Sequence, residues 1–172
     1  MAKKNNKTEH IENIHEPLLQ VSKEINDILT NSVEDKYLVG IVLSHSFIEN
    51  LLKWLVFIKI LWNKTEDQGE IEVDEYNTIK RICSGMTFYN AVNSALSINL
   101  IDKELHKLIN EVRKDRNDII HNFWLYKHRN SPTEIRTELE KVVNAAGSLA
   151  EIYNSLTDEI GVDEVYELML ND

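Results

Sequence analysis

The chain contains 172 residues, a length that allows one domain with a buried core and is short for two. Apolar residues make up 42% of the sequence and charged residues 28%, a composition that excludes a disordered chain. The net charge of −10 argues against broad, non-specific binding to nucleic acids.

The numbers of helix breakers and of cysteines indicate the type of fold and the cellular compartment. Five glycines and two prolines leave few breakers, which favours long helices over many short strands. The single cysteine, Cys83, excludes an internal disulfide. No secretory signal peptide is recognisable, so a reducing, cytoplasmic location is expected.

The first two predicted helices differ in how much of their surface is apolar. Residues 1–9 are polar and basic without periodicity and are expected to be disordered, with the helical domain over 10–172. The first helix starts near Pro17, because proline suits a first turn. The second covers about 33–62, and apolar residues surround almost all of it, so it should be the central, most buried element.

One polar line interrupts the second helix. His45, Glu49 and Lys53 follow one another at steps of four residues. Together with Lys59 they leave no run of 18 apolar residues, the length at which a membrane span is expected. We therefore expect a buried helix of a soluble protein, with no membrane as a partner.

The rest of the chain is predicted to be helical apart from its connections. Ser131, Pro132 and Glu134 form a capping-box start for a long helix. The predicted elements are an acidic loop over 63–74, a helix over 74–83, a short helix over 87–97, a helix within 99–124, a basic loop over 126–130, a helix from 132 to about 157 and an acidic helix near 163–170. The expected fold class is all-α, a single-domain bundle of five to six helices.

The helix within 99–124 has an apolar face that contains one arginine. Its apolar residues recur at spacings of three and four: Leu105, Leu108, Ile109, Val112, Ile119, Ile120 and Phe123. At 100° per residue, Arg116 lies about 20° from Leu105 and so in the middle of this face. A guanidinium there needs hydrogen-bond partners, a wet cleft or a partner chain, because stranding it costs on the order of several kcal/mol.

Few side chains could carry chemistry. No histidine forms an H-E-x-x-H pair or combines with Cys83, and no glycine-rich phosphate loop is present, so neither a metal nor a cofactor is expected. Arg116 and His121 together can cleave the RNA backbone, because arginine binds the phosphate and histidine, with an ordinary pKa of about 6.5, transfers the proton. Asn117 lies four residues before His121 on the same helix face and could orient its ring.

The sequence RNDIIH at residues 116–121 resembles the R-x(4–6)-H motif of the HEPN superfamily (higher eukaryote and prokaryote nucleotide-binding domains), in its common R-N-x-x-x-H form. The resemblance implies a HEPN-like helical bundle, usually a homodimer with both motifs at the dimer cleft. It also implies a metal-independent endoribonuclease of the kind found in toxin–antitoxin and anti-phage systems. Arg116 and His121 would be the catalytic pair, and Asn117 the polar residue that follows the arginine.

A weaker similarity lies on the second helix. Glu49 and Lys53 match an E-x-x-x-K pair that some members carry on an earlier helix. We expect Glu49 to pair with Arg116 or Arg113 and to support the site.

Members that are silenced by a partner nucleotidyltransferase often carry a tyrosine two residues after the histidine. Phe123 occupies that position, so modification there is not expected.

The charge around the motif favours an anionic ligand. Residues 103–129 hold seven Lys and Arg and four acidic residues, a net charge of +3, whereas the remainder carries −13. This distribution suits a confined anionic ligand better than a long duplex, although a plain solvated helix face gives the same count. The candidates for contact with RNA are Arg113, Lys114, Lys127 and Arg129.

The three tryptophans, Trp54, Trp62 and Trp124, are expected to anchor the core or an interface rather than to stack on bases.

Two alternatives stay open. Arg116 could be a structural residue that is satisfied by Glu49 or by backbone carbonyls, with His121 on a solvated surface. On an ideal helix the two motif side chains point about 140° apart, so they converge only if the helix bends or ends nearby, or if the site spans a two-fold axis. The alternative function is a catalytically inactive HEPN-like module that dimerises and binds a partner protein or nucleotide. The expected partners are a second copy, an RNA substrate and an antitoxin or regulatory protein.

Overall fold

The computed structural model of the chain describes residues 20–31, 34–69 and 71–160, and these form an all-α helical bundle without strands. The helices are α1 (residues 20–30), α2 (Tyr37–Gln68), α3 (Val73–Ser84), α4 (Phe88–Ser97), α5 (Lys103–His121), α6 (Phe123–Arg129) and α7 (Pro132–Ile160). A single 3-10 turn, Glu34–Lys36, precedes α2. The all-α prediction is confirmed, and the described part already holds seven helices rather than five to six.

Three predictions lie outside the described residues. They are the disorder over 1–9, the helix start at Pro17 and the acidic helix near 163–170.

The central position of α2 is confirmed. This helix contacts α3, α4, α5 and α7, and its contact with α7 is the most extensive. Its fully buried apolar side chains are Ile41, Ile48, Leu52, Leu55, Val56, Ile58 and Leu61. Tyr37–Asp67 is also long and apolar enough to cross a membrane. Of its most apolar stretch of 18 residues, 56% is buried inside the fold. Since core helices of soluble proteins meet the same criteria, this is a weak indication of a membrane span.

Two predicted loops are wrong because both segments are helical. The loop over 63–74 is mostly helix, since no glycine or proline occurs before Gly69. Gly69, at a φ of 84°, then ends α2 and donates its N–H to the Thr65 carbonyl. The loop over 126–130 is also largely helical, because Tyr126 packs against the core and holds α6 in place.

The predicted start of α7 is confirmed. The Ser131 N–H and hydroxyl both donate to a Glu134 carboxylate oxygen, at 2.7 and 2.8 Å, and the Glu134 N–H donates to the Ser131 hydroxyl at 3.3 Å. From this capping box α7 runs to Ile160. Its buried residues line the contact with α2: Ile135, Leu139, Val142, Ala145, Leu149, Leu156 and Ile160.

Candidate functional site

The motif helix α5 lies on the core through one face. It begins at Asp102, whose carboxylate accepts the Leu105 N–H at 2.7 Å. Ile109, Val112 and Ile119 are fully buried, and the helix contacts α2, α4 and α7. This packing turns position 116 towards α2.

Arg116 lies in an ion-pair chain between α5 and α2. Its Nη1 atom is 3.1 Å from Glu49 Oε2, and Lys53 Nζ is 2.8 Å from Glu49 Oε1. The exposed fractions of the Arg116 and Glu49 side chains are 29% and 18%, so the guanidinium is half-buried yet open to solvent. The predicted pairing of Glu49 with Arg116 is therefore confirmed, and it explains how an arginine fits on an apolar helix face.

Arg113 has different partners. Its Nε atom donates to Asn110 Oδ1 at 3.2 Å, and its guanidinium lies over the Tyr89 ring at 5.1 Å. The predicted alternative pairing of Arg113 with Glu49 is not formed, because Arg113 faces α4 rather than α2.

His121 lies on the opposite face of α5 from Arg116. The His121 and Asn117 side chains are exposed. Within the described part of the chain, neither side chain has a hydrogen-bond partner. Lys114 lies on the same outer face, because Asn117 and His121 follow it by three and seven residues, and it is exposed as well. α5 is helical from Lys103 to His121, so the two motif side chains leave this helix about 140° apart.

Asn122 joins α5 to α6 with a break in helical geometry. Its φ and ψ are −127° and 31°; its N–H donates to the Asp118 carbonyl at 2.9 Å, and its own carbonyl accepts the Tyr126 N–H at 2.8 Å. Lys127 and Arg129 lie in the last turn of α6, and both are exposed.

An exposed apolar patch follows the motif. It consists of Ile120, Phe123, Trp124 and Leu125, and Trp124 is the most exposed member at 73%. Trp54 and Trp62 pack against the core, as predicted. Trp124 is not a core residue, because α6 contributes no buried residue and rests on the bundle through Tyr126 instead, so for this tryptophan only the interface part of the prediction stays open.

His45, which opens the polar line of α2, is completely buried beside the Arg116 ion pair. Neither ring nitrogen has a hydrogen-bond partner among the described residues. Burial, together with the nearby Arg116 charge, lowers its pKa to about 4, while the Val112 carbonyl opposes the shift. The ring is therefore neutral at pH 7, which the sequence pattern does not indicate.

A second polar cluster joins α5, α6 and α7. Lys141 Nζ lies 2.6 Å from Asp115 Oδ2 and 3.5 Å from Glu138 Oε2. Burial, and then the Asp115 charge, raises the pKa of Glu138. Burial, with Glu138 and Asp115 nearby, raises the pKa of Tyr126 to about 12. This cluster fixes the corner from which α6 projects, and the sequence pattern did not single it out.

The described residues contain no group of three or more His, Cys, Asp or Glu side chains that could hold a metal ion. Cys83 is a buried free thiol whose pKa is raised by that burial.

Comparisons of the chain with protein-family models, with curated proteins and with solved structures found no match.

Proposed function

We propose that this chain is a metal-independent, HEPN-type endoribonuclease that acts as a cytoplasmic homodimer. The observation that carries the proposal is the state of the two motif residues. Arg116 is held at the α2–α5 contact by Glu49, whereas the His121 side chain is exposed on the same helix and has no partner among the described residues. Of the five N–H donors of a guanidinium, one is bonded to Glu49, so others are free to bind a phosphate.

The roles follow from the chemistry of the two side chains. Neutral His121 takes the proton of an RNA 2′-hydroxyl, and the resulting oxyanion attacks the adjacent phosphorus. Arg116 offsets the negative charge that develops on the phosphate oxygens. The bond to the 5′-oxygen breaks, and the imidazolium protonates that oxygen, which leaves a 2′,3′-cyclic phosphate and a 5′-hydroxyl. Asn117, one helical turn before His121, orients the ring or a phosphate oxygen.

A second copy completes the site in this proposal. Arg116 and His121 point about 140° apart on one straight helix, so a substrate phosphate reaches both only when they belong to different chains. Exposed Ile120, inside the motif, and Leu125, four residues after it, supply apolar surface for such a contact. An active nuclease would also need an inhibitor, so we include an antitoxin or regulatory protein among its partners.

The test is RNA cleavage in EDTA by the wild-type protein, His121→Ala and Arg116→Ala. Arg81→Ala is the matched control, because Arg81 is also an exposed basic residue but lies on α3, outside the motif. We expect each motif substitution to lower the cleavage rate by about 100-fold or more and the control to stay near wild type. Far-UV circular dichroism verifies that all four proteins are folded. Absence of wild-type cleavage across several single-stranded RNAs, or cleavage that survives both motif substitutions, contradicts the proposal.

The alternative is a catalytically inactive module of the same fold that dimerises and binds a partner protein or nucleotide. One observation favours it: the Arg116 charge is already paired with Glu49 inside the chain. The acidic remainder of the chain, at −13, also does not attract RNA. Such a module shows no turnover, and its affinity for the partner survives His121→Ala.

A further inference from the structure

The orientation of Trp124 follows from the anchoring of α6. Tyr126 is half-buried, packs against the core and lies close to Glu138 and Asp115. Trp124 precedes it by two positions, which on a helix is a rotation of about 200°. Fixing Tyr126 on the bundle therefore directs Trp124 to solvent, where the Phe123 ring meets it edge to face at 6.2 Å.

Basic side chains accompany this indole on α6. Lys127 and His128 follow Trp124 at the i+3 and i+4 spacings, so all three share the outer face of α6. Residues 119–130 contain no acidic residue, although the chain as a whole carries a net charge of −10. An exposed aromatic ring beside Lys127, in a segment without carboxylates, suits a ligand that is flat and apolar at one end and anionic at the other. A second copy of this face would instead bring like charges together.

Trp124 also lies next to the proposed catalytic histidine. It follows His121 by three residues across the Asn122 junction, with hydrogen bonds on both sides of that junction. A nucleotide whose base stacks on Trp124 therefore presents its phosphate within reach of His121.

We propose that Trp124 stacks on a base of single-stranded RNA, while Lys127 and His128 contact the flanking phosphates. The inference rests on the proposed nuclease function and names its substrate class. Bases in a duplex are already stacked on their neighbours and cannot be taken up in this way, so the substrate is a single strand, a loop or an end.

The experiment measures binding separately from cleavage. A fluorescein-labelled octamer of U and an octamer of abasic nucleotides are titrated with His121→Ala protein, and anisotropy is recorded at low salt. The same titration is repeated with Trp124→Ala, Trp124→Leu and Trp124→Phe added to that protein. Ile82→Ala serves as the matched control, because Ile82 is another exposed apolar side chain but lies on α3.

Stacking predicts a specific pattern of affinities. Trp124→Ala and Trp124→Leu should weaken binding of the U octamer by about 5- to 100-fold, since base stacking on an aromatic ring contributes that much. Trp124→Phe and Ile82→Ala should stay within about threefold of the parent protein. Binding of the abasic octamer should not respond to any change at Trp124.

Several outcomes would overturn the proposal. They are undetectable binding of the U octamer, equal affinity with and without Trp124, an equal loss for the abasic octamer, or a Trp124→Ala protein that sediments as a smaller oligomer. The last result would make Trp124 an interface residue. Wild-type cleavage together with Trp124-independent binding removes the stacking proposal alone. Trp124-dependent binding without any cleavage removes the nuclease proposal alone.

Discussion

At the scale of single residues, the ion pair between Arg116 and Glu49 solves the problem of a cation on an apolar helix face. Glu49 accepts from both Arg116 and Lys53, and all three side chains are less than one third exposed. A carboxylate that holds two cations in partial burial contributes more than an exposed pair does.

Glu49→Gln should therefore lower the free energy of unfolding by about 1 to 2 kcal/mol, because it leaves Arg116 and Lys53 close together without the carboxylate. The matched control is Glu140→Gln, which breaks the more exposed Arg136–Glu140 pair and should cost clearly less stability. Urea denaturation followed by circular dichroism measures both values. Equal losses in the two variants would show that the Glu49 pair has no special weight.

His45 makes the stability of the protein depend on pH. Its pKa is about 4 in the folded chain and about 6.5 when unfolded, so the unfolded state gains a proton first as the pH falls below 6.5. Between pH 7 and pH 5 this single group should lower the free energy of unfolding by about 2 kcal/mol.

The His45→Leu variant isolates that contribution, because the neighbouring Arg116, Asp115 and Lys141 charges are present in both proteins. Urea titrations at pH 7 and pH 5 should show that the wild type loses about 2 kcal/mol more than the variant. Leucine removes the two unpaired ring nitrogens from the core, so the variant should be at least as stable as the wild type at pH 7. An equal pH dependence in both would exclude a buried neutral histidine.

At the scale of elements, a glycine sets the distance between α2 and α7. A Cβ atom on Gly40 would lie 3.1 and 3.2 Å from the two methyl carbons of Leu139, which is fully buried. Gly147 lies in α7, and a Cβ atom there would meet nothing within 4 Å.

These two glycines give a matched prediction. Gly40→Ala should lower the free energy of unfolding by about 1 to 2 kcal/mol, because the overlap with Leu139 outweighs the better helix propensity of alanine. Gly147→Ala should raise it by about 0.5 to 1 kcal/mol, because only the propensity changes. Thermal unfolding ranks the variants against the wild type. If both substitutions stabilised the protein, the Leu139 side chain would not pack closely against Gly40 of α2.

The elements also show how far the sequence predicts the fold. The capping box at Ser131 and the apolar periods of α2 and α5 are local signals, and the structure confirms the helices predicted from them. The helical end of α2 and α6 were missed, because residues 63–68 and 126–130 are mostly polar and resemble loops. Their helicity depends on non-local contacts, such as Tyr126 with the core and Lys64 with Glu75.

The candidate site was predictable to a similar extent. The spacing of Glu49 and Lys53 indicated a partner for Arg116, and the ion pair is present. The neutral state of His45 and the exposure of Trp124 could not be read from the sequence. Both depend on how α5 and α7 pack against α2 and on which side of α6 faces the core.

At the scale of the whole molecule, the described chain presents the two motif residues on different faces of one helix. The exposed apolar patch and the exposed basic residues Lys127 and Arg129 lie at the same end of that helix, on a chain that is otherwise acidic. The proposed site shared between two copies would account for this arrangement, since it needs an arginine from one face and a histidine from the other.

Complementation between two inactive variants tests that claim most directly. Arg116→Ala and His121→Ala chains are mixed in equal amounts under conditions in which sedimentation shows that subunits exchange, and RNA cleavage in EDTA is measured. A shared site predicts recovery to about one quarter of wild-type activity, because half of the dimers then hold one intact site. A mixture of Arg116→Ala with the double variant must stay inactive as the control. No recovery in the exchanging mixture would contradict a site that joins Arg116 of one chain to His121 of the other.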